Sequence, residues 1–230
     1  KPLSHSLREG RAMVDIARQH KRVVQVGAQQ RSGEHYFKAI GMIRDGTIGA
    51  VHSVSAYWTR NMMPGFKPRE LKSGLTNALD WDMWLGPAPY RPFDPLRFAY
   101  NWRWFWDYSG GQMTNLGHHS LDVVHWIFDI KGPRAVSSSG GRFFLKDNGE
   151  VPDVQDAIIE YPKFSAVVQF RECAAGGGAT SMGSLTFMGT KGTMTLGRDG
   201  YEILPDKKVN PVNTFAKIIG GHPVGGPQHR

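Results

Sequence analysis

The sequence predicts an α/β fold of the α+β kind, and three observations predict it. The first sixty residues read helix, strand, helix, strand. A mostly apolar helical segment then runs from Gln112 to Phe128. From Ala135 onward, short β-rich runs alternate with turn signals, the pattern of an antiparallel meander. The chain has 230 residues, of which 40% are hydrophobic and 21% charged. Those values are near the globular average, so the chain can bury a sizeable core and is not disordered along its length.

Each element has a local cause. Ser4 to His20 reads as a helix, because Ser6 and Glu9 stand in capping-box spacing and Met13, Val14, Ile16 and Ala17 form a stripe. Val23 to Val26 is a short β-branched run ended by Gly27, read as a strand. After the polar turn 28–31, Ser32 is placed to cap a second helix that runs through Phe37, Ile40 and Ile43 to Arg44. Asp45-Gly46 closes it. The following strand alternates, with His52, Val54, Ala56 and Trp58 on one side. Between Asn61 and Asn101, six prolines mixed with aromatic residues point to a long ordered excursion over a sheet. Strands are expected at 135–139, 141–145, 154–161, 165–171, 184–188 and 193–196. Gly176-Gly177-Gly178 reads as a flexible break, the signal fades after Pro205, and 220–230 reads as a frayed end.

Composition excludes several functions. With 28 Lys+Arg against 20 Asp+Glu, the net charge of +8 suits an anionic ligand such as a nucleotide. No run of five basic residues and no DNA-binding motif accompanies it, so nucleic acid is not expected as a partner. The single cysteine, Cys173, rules out an internal disulfide and reads as a small filler. No apolar run reaches the length of a membrane span, so no membrane partner is expected. The chain shows no export signal and opens on Lys1, which reads as a cytoplasmic protein represented by a fragment.

A polar stripe on the apolar segment 112–128 is the main chemical signal. Asn115 and His119 are four apart, and His119 and Asp122 three apart, spacings that stack side chains on one helix face. Three readings stay open: a general acid/base His119 oriented by Asp122, a structural network around a core histidine, and a metal site that adds His118 and His125. Neighbouring His118 and His119 point apart on a helix, and no zinc-binding spacing is present, so no metal is expected. The run Trp102, Trp104, Phe105, Trp106 and Tyr108 either stacks on a sugar ring or fills a core. No GxGxxG follows a strand and opens a helix in these residues.

Several pieces together resemble the Gfo/Idh/MocA oxidoreductases. They are Lys1-Pro2 before a capped helix, Val26-Gly27, the Gln30-Arg31 turn, and Asp45-Gly46-Thr47-Ile48-Gly49 before a strand. Gly110-Gly111 followed by Asn115-x-Gly117-x-His119-x-x-Asp122 is similar to that family's GG…DxGxHxxD helix. The resemblance spans roughly residues 1–200. It implies a large open, mostly antiparallel sheet with helices on one face, preceded by the last helix and strand of a Rossmann domain. Residues 1–27 would be the remnant of that dinucleotide-binding domain, with its glycine-rich loop upstream. Residues 28–230 would be the substrate-binding and oligomerisation domain.

The same resemblance implies hydride transfer between NAD or NADP and a sugar, polyol or sugar derivative. Lys1, Asn115 and His119 take the catalytic positions, and Lys1 and Gln30 the cofactor contacts. Arg31, Trp102, Arg103, Tyr108 and Asp122 take the substrate. Asn115 departs from the family, where aspartate is frequent; an amide neither accepts a proton nor carries charge. Two alternatives follow: an NAD-dependent glycoside hydrolase or lyase, and a non-catalytic cofactor-sensing member. A homo-oligomer through the sheet is also implied.

Overall fold

The computed structural model describes residues 1–68, 78–175, 183–206 and 208, and the backbone of a strand at 216–219. Among the described residues, four α-helices, α1 (Leu7–Gln19), α2 (Glu34–Arg44), α3 (Trp81–Leu85) and α4 (His118–Phe128), accompany eight strands. The strands are β1 (Val51–Thr59), β2 (Ala135–Gly141), β3 (Val154–Glu160), β4 (Ser165–Arg171), β5 (Leu185–Gly189), β6 (Gly192–Gly197), β7 (Gly200–Pro205) and β8 (Ala216–Ile219). They form one open sheet in the order β2-β3-β4-β1-β5-β6-β7-β8. Among the described strands only β1 and β4 pair in parallel; the other ladders are antiparallel.

Alternation decides which face is covered. Val54, Ala56 and Trp58 of β1, Ala166, Val168 and Phe170 of β4, and Leu185 and Phe187 of β5 are buried on one side. Against them pack Tyr36, Ala39, Ile40 and Ile43 of α2 and Val123, Val124 and Ile127 of α4. The two main helices therefore cover one face, as expected from the resemblance. The residues between, such as Ser53, Ser55, Val167 and Thr186, face the other, partly exposed side.

A second packed unit fills the proline-rich excursion. Trp104 and Phe105 are fully buried, and Phe66 stacks on Trp104 at 5.1 Å between ring centroids. Farther out, Trp81 stacks on Trp84 at 4.6 Å, with Phe93 and Phe98 at their edges. Apart from the exposed Tyr90, the aromatic residues of this region are thus packed irregular structure, as their composition suggested.

Several local expectations are corrected. The capping box of Ser6 and Glu9 is present, but α1 buries none of its residues. Val23–Val26 joins no ladder, and Val23 is fully exposed: no described strand lies beside it to take its hydrogen bonds. Ser32 does not cap α2. It ends a 3₁₀ turn at Gln29–Ser32, and Gly33 holds the cap position without a side-chain bond. No strand forms at 142–145, because its backbone donors are taken by a carboxylate. Asp153 accepts from the backbone N–H of Phe143, Phe144 and Leu145 at 3.0, 2.9 and 2.8 Å. Burial alone would raise that carboxyl, yet the three donors hold it below the usual range. β7 and β8 were not anticipated, and the parallel β1–β4 pair replaces part of the expected meander. The expected break at 176–178 and the end 220–230 lie outside the described residues.

Candidate active site

The helix bearing the polar stripe starts irregularly. Gly111 begins it at φ +71°, where a Cβ would stand 2.8 Å from Val151 Cγ2, so both conformation and space call for glycine. Met113–Gly117 then forms a π turn before α4. Single π turns occur frequently at functional sites. Gly117 admits the ring of Phe170 rather than a ligand, since a Cβ there would meet Phe170 Cζ at 3.3 Å.

Three of the sequence-predicted residues come together directly. Lys1 Nζ donates to the main-chain oxygen of Asn115 at 2.9 Å. Arg103 Nε donates to Asn115 Oδ1 at 3.2 Å. The Arg103 guanidinium lies over Tyr100 at 4.2 Å and Trp102 at 4.5 Å. Lys1, Asn115, Trp102 and Tyr108 line a cleft of about 520 Å³, together with Ser109 and Thr114. Tyr108 Oη is buried and has no partner among the described residues.

His119 sits behind this group, 5% exposed, with Nδ1 buried and unbonded. Burial, and then the charges of Lys1, His118 and Arg198, hold its pKa down at about 4. Lys1 Nζ is lowered to about 8, first by burial and then by Arg103 and Arg198. At neutral pH the imidazole is therefore an uncharged base beside an ammonium. The unfolded chain takes up a proton at the ordinary value of 6.5. Between 6.5 and about 4 it thus binds more protons than the folded chain, and stability falls as pH is lowered through that window. Urea midpoints of wild type and His119→Asn should accordingly diverge, with the wild type losing more as pH falls. A difference that stays constant would contradict this burial.

The remaining predicted residues are placed elsewhere. Arg31 and Asp122 bind each other, through Nε at 2.9 Å and Nη2 at 2.9 Å. The expectation that Asp122 orients His119 is corrected by this pair, because a bidentate guanidinium occupies the carboxylate. Arg31 also lies over Trp126, at 5.1 Å. Gln30 is buried in the 3₁₀ turn before α2. His125 contacts Tyr161 Oη at 3.0 Å. No group of three or more His, Cys, Asp or Glu side chains converges among the described residues. The partly exposed thiol of Cys173 is pushed up by burial, against a nucleophilic role.

Sequence reasoning missed three contributors. Arg198, in the turn between β6 and β7, acts electrostatically on both Lys1 and His119. Gln112 Oε1 accepts from Asn115 Nδ2 at 2.8 Å, and Gln112 Nε2 donates to Glu172 Oε1 at 2.7 Å. A signal for Glu172 existed. Ala166, Val168 and Phe170 point inward along β4, and the next inward position is Glu172. Likewise Arg60 follows Val54, Ala56 and Trp58 on β1, and the parallel register sets Trp58 opposite Phe170. The two inward charges beyond that pair form an ion pair.

Comparison with known proteins bears on the fold. Residues 57–139 match the model described as "Oxidoreductase family, C-terminal alpha/beta domain" of the Gfo/Idh/MocA group. No curated protein matches the chain. Among solved structures, an inositol dehydrogenase homolog from Azotobacter vinelandii, complexed with NADH and myo-inositol, aligns at a TM-score of 0.66 and 16% identity. That alignment covers 97% of this chain and 50% of the other. WlbA dehydrogenase from Bordetella pertussis, in complex with NADH and UDP-GlcNAcA, gives 0.61 at 18% identity, covering 95% and 55%. A levoglucosan dehydrogenase with NADH and levoglucosan gives 0.65 at 17% identity, covering 96% and 53%. The chain spans about half the length of these structures. The matched residues and the one-sided open sheet agree: over residues 57–139 the chain is similar to the C-terminal α/β domain of the Gfo/Idh/MocA oxidoreductases.

Proposed function

We propose that this chain is the substrate-binding part of an NAD(P)-dependent oxidoreductase acting on a CH–OH group of a sugar, polyol or sugar derivative. The observation that carries the reading is Lys1, bound to Asn115 on the wall of an open cleft, with the buried, uncharged His119 behind them, which feels the Lys1 charge and has an unbonded Nδ1. The solved structures of similar fold that hold NADH with myo-inositol, levoglucosan or UDP-GlcNAcA support it. The same reading makes residues 1–27 the last part of a dinucleotide-binding domain and 28–230 the substrate domain. The wholly unburied α1 and the unpaired 23–26 segment fit that division. A homo-oligomer through the open sheet face and a cytoplasmic location belong to the same proposal.

The residues present fit a nicotinamide group. A partly desolvated ammonium and a polar turn at Gln30 and Arg31 would hold it near Asn115. When bound, the nicotinamide supplies the hydride acceptor or donor. His119 takes the hydroxyl proton of the substrate, which its lowered pKa permits at neutral pH. Lys1 donates to the oxygen as carbonyl character grows there. Arg103 fixes Asn115, whose free amide valences hold a neighbouring hydroxyl. Trp102 presents a ring face to the sugar and Tyr108 Oη a hydroxyl partner. Arg31 and Asp122, bound to each other, frame the turn that carries Gln30.

The test is the protein with its complete dinucleotide-binding domain, offered NAD⁺ or NADP⁺ and a panel of sugars and polyols. Growth of reduced-nicotinamide absorbance with at least one substrate is expected. Glycoside consumption without absorbance change would assign a hydrolase or lyase instead. Dinucleotide binding without either reaction would assign a cofactor sensor, the reading that Asn115 in place of aspartate keeps open.

A further inference from the structure

Glu172 lies 1% exposed at the far end of β4, where four donors converge on its carboxylate. Trp104 Nε1 donates to Oε2 at 2.7 Å. Gln112 Nε2 donates to Oε1 at 2.7 Å, and Arg60 donates to the same oxygen through Nε at 2.9 Å and through Nη2. The Arg60 guanidinium also lies over the Trp104 ring at 5.2 Å. Among the described residues, every side chain bonded to this carboxylate is a hydrogen-bond donor.

A side-chain amide has one end that donates and one that accepts, so a fixed acceptor at one end sets its direction. Glu172 requires the nitrogen of Gln112. Gln112 must then turn its oxygen toward Asn115, and that oxygen takes the nitrogen of Asn115 at 2.8 Å. Asn115 is left with its oxygen toward Arg103 Nε, itself only a donor, at 3.2 Å. The chain Glu172, Gln112, Asn115, Arg103 thus starts on a pure acceptor and ends on a pure donor. Only one orientation of both amides satisfies every bond. In the reverse orientation each amide would set two like ends together inside a buried region.

We propose that Glu172 is a positioning residue for the candidate active site. It acts through Gln112 to fix which atom of the Asn115 amide faces Gln112 and which faces Arg103. The proposal rests on the active-site reading for its consequence, but the relay itself concerns only bonds within this chain. It also accounts for an amide at position 115. An aspartate there would set a carboxylate oxygen against Gln112 Oε1, which Glu172 prevents from turning.

The experiment reads the Arg103 Nε–H and Asn115 side-chain amide protons by nitrogen-15 NMR, with their hydrogen exchange. Glu172→Gln replaces one acceptor oxygen by a donor, so either Trp104 or the Arg60–Gln112 side loses its partner and Gln112 is free to turn. At least tenfold faster exchange at Arg103 Nε–H is expected, with a second set of Asn115 amide signals. Trp58 Nε1–H, which donates to Ser120 Oγ at 2.9 Å, is the control for the fold and should not change. Because Glu172→Gln also weakens the Arg60 pair, Gln112→Met is the second variant. It cuts the relay while leaving Arg60 and Trp104 on Glu172, and it should reproduce the loss at Arg103. Arg103 Nε–H exchange within twofold of wild type in both variants would overturn the relay, whatever the chain catalyses. Absence of turnover in the wild-type protein would sink the dehydrogenase reading and leave the relay standing.

Discussion

His119→Ala, in the protein with its complete dinucleotide-binding domain, should lower kcat by about 10²–10⁴ while KM changes little. The imidazole is a buried base that feels the Lys1 charge, and its Nδ1 has no hydrogen bond among the described residues. On the proposed reading its removal takes away the proton acceptor, while Lys1 still polarises the substrate oxygen and Asn115, fixed by Arg103, still holds a neighbouring hydroxyl. The pH profile gives an independent reading. Burial and neighbouring charge hold His119 at about 4, so the acid limb of kcat/KM should lie well below the ordinary histidine value of 6.5. An unchanged kcat, or an acid limb that survives the substitution, would remove His119 from the mechanism. Lys1→Met should act differently, raising KM as well, because the proposed reading also gives that ammonium a cofactor contact.

Trp104→Ala should cost about 3–5 kcal/mol of stability, the usual range for emptying a fully buried large aromatic site. The indole is completely buried, stacks on Phe66, meets Tyr100 at 5.5 Å and carries the Arg60 guanidinium on its face. Trp104→Phe separates the contributions. It keeps most of the apolar area but leaves Glu172 Oε2 without its donor, an omission worth about 1–3 kcal/mol. Denaturant midpoints for the two variants give both values. Equal losses would mean that packing contributes nothing beyond the single hydrogen bond, contrary to the burial.

Much of the fold was legible in the sequence because it depends on local causes. β4 falls on 165–171 as expected, since every second residue from Ala166 is apolar. The Ser6 cap and the Asp45-Gly46 stop of α2 follow from short-range hydrogen bonding and positive φ. What could not be read depends on distant partners. Val23–Val26 has strand composition, but a strand exists only where a neighbour completes its ladder. Phe143–Leu145 looks β-forming, but the carboxylate of Asp153 takes its donors. At the site, helical spacing grouped Asn115, His119 and Asp122. It did not show that Arg31, from the turn before α2, would claim Asp122. Nor did it identify the relay, because that runs from a strand end through the π turn.

The central position of β1 has a consequence for how the chain comes into being. Its two neighbours in the sheet, β4 and β5, begin at Ser165 and Leu185, more than a hundred residues downstream. At ordinary ribosomal speeds of about 5–20 residues per second, its hydrogen-bonding edges wait on the order of ten seconds for partners. Throughout that interval Val54, Ala56 and Trp58 have no sheet to enter. The helix α2 just before them, whose Ile40 and Ile43 later share their core, is the cover already synthesised. Such distant pairing slows folding and lengthens exposure to aggregation, so low-temperature expression or a holdase chaperone should raise the yield of soluble protein.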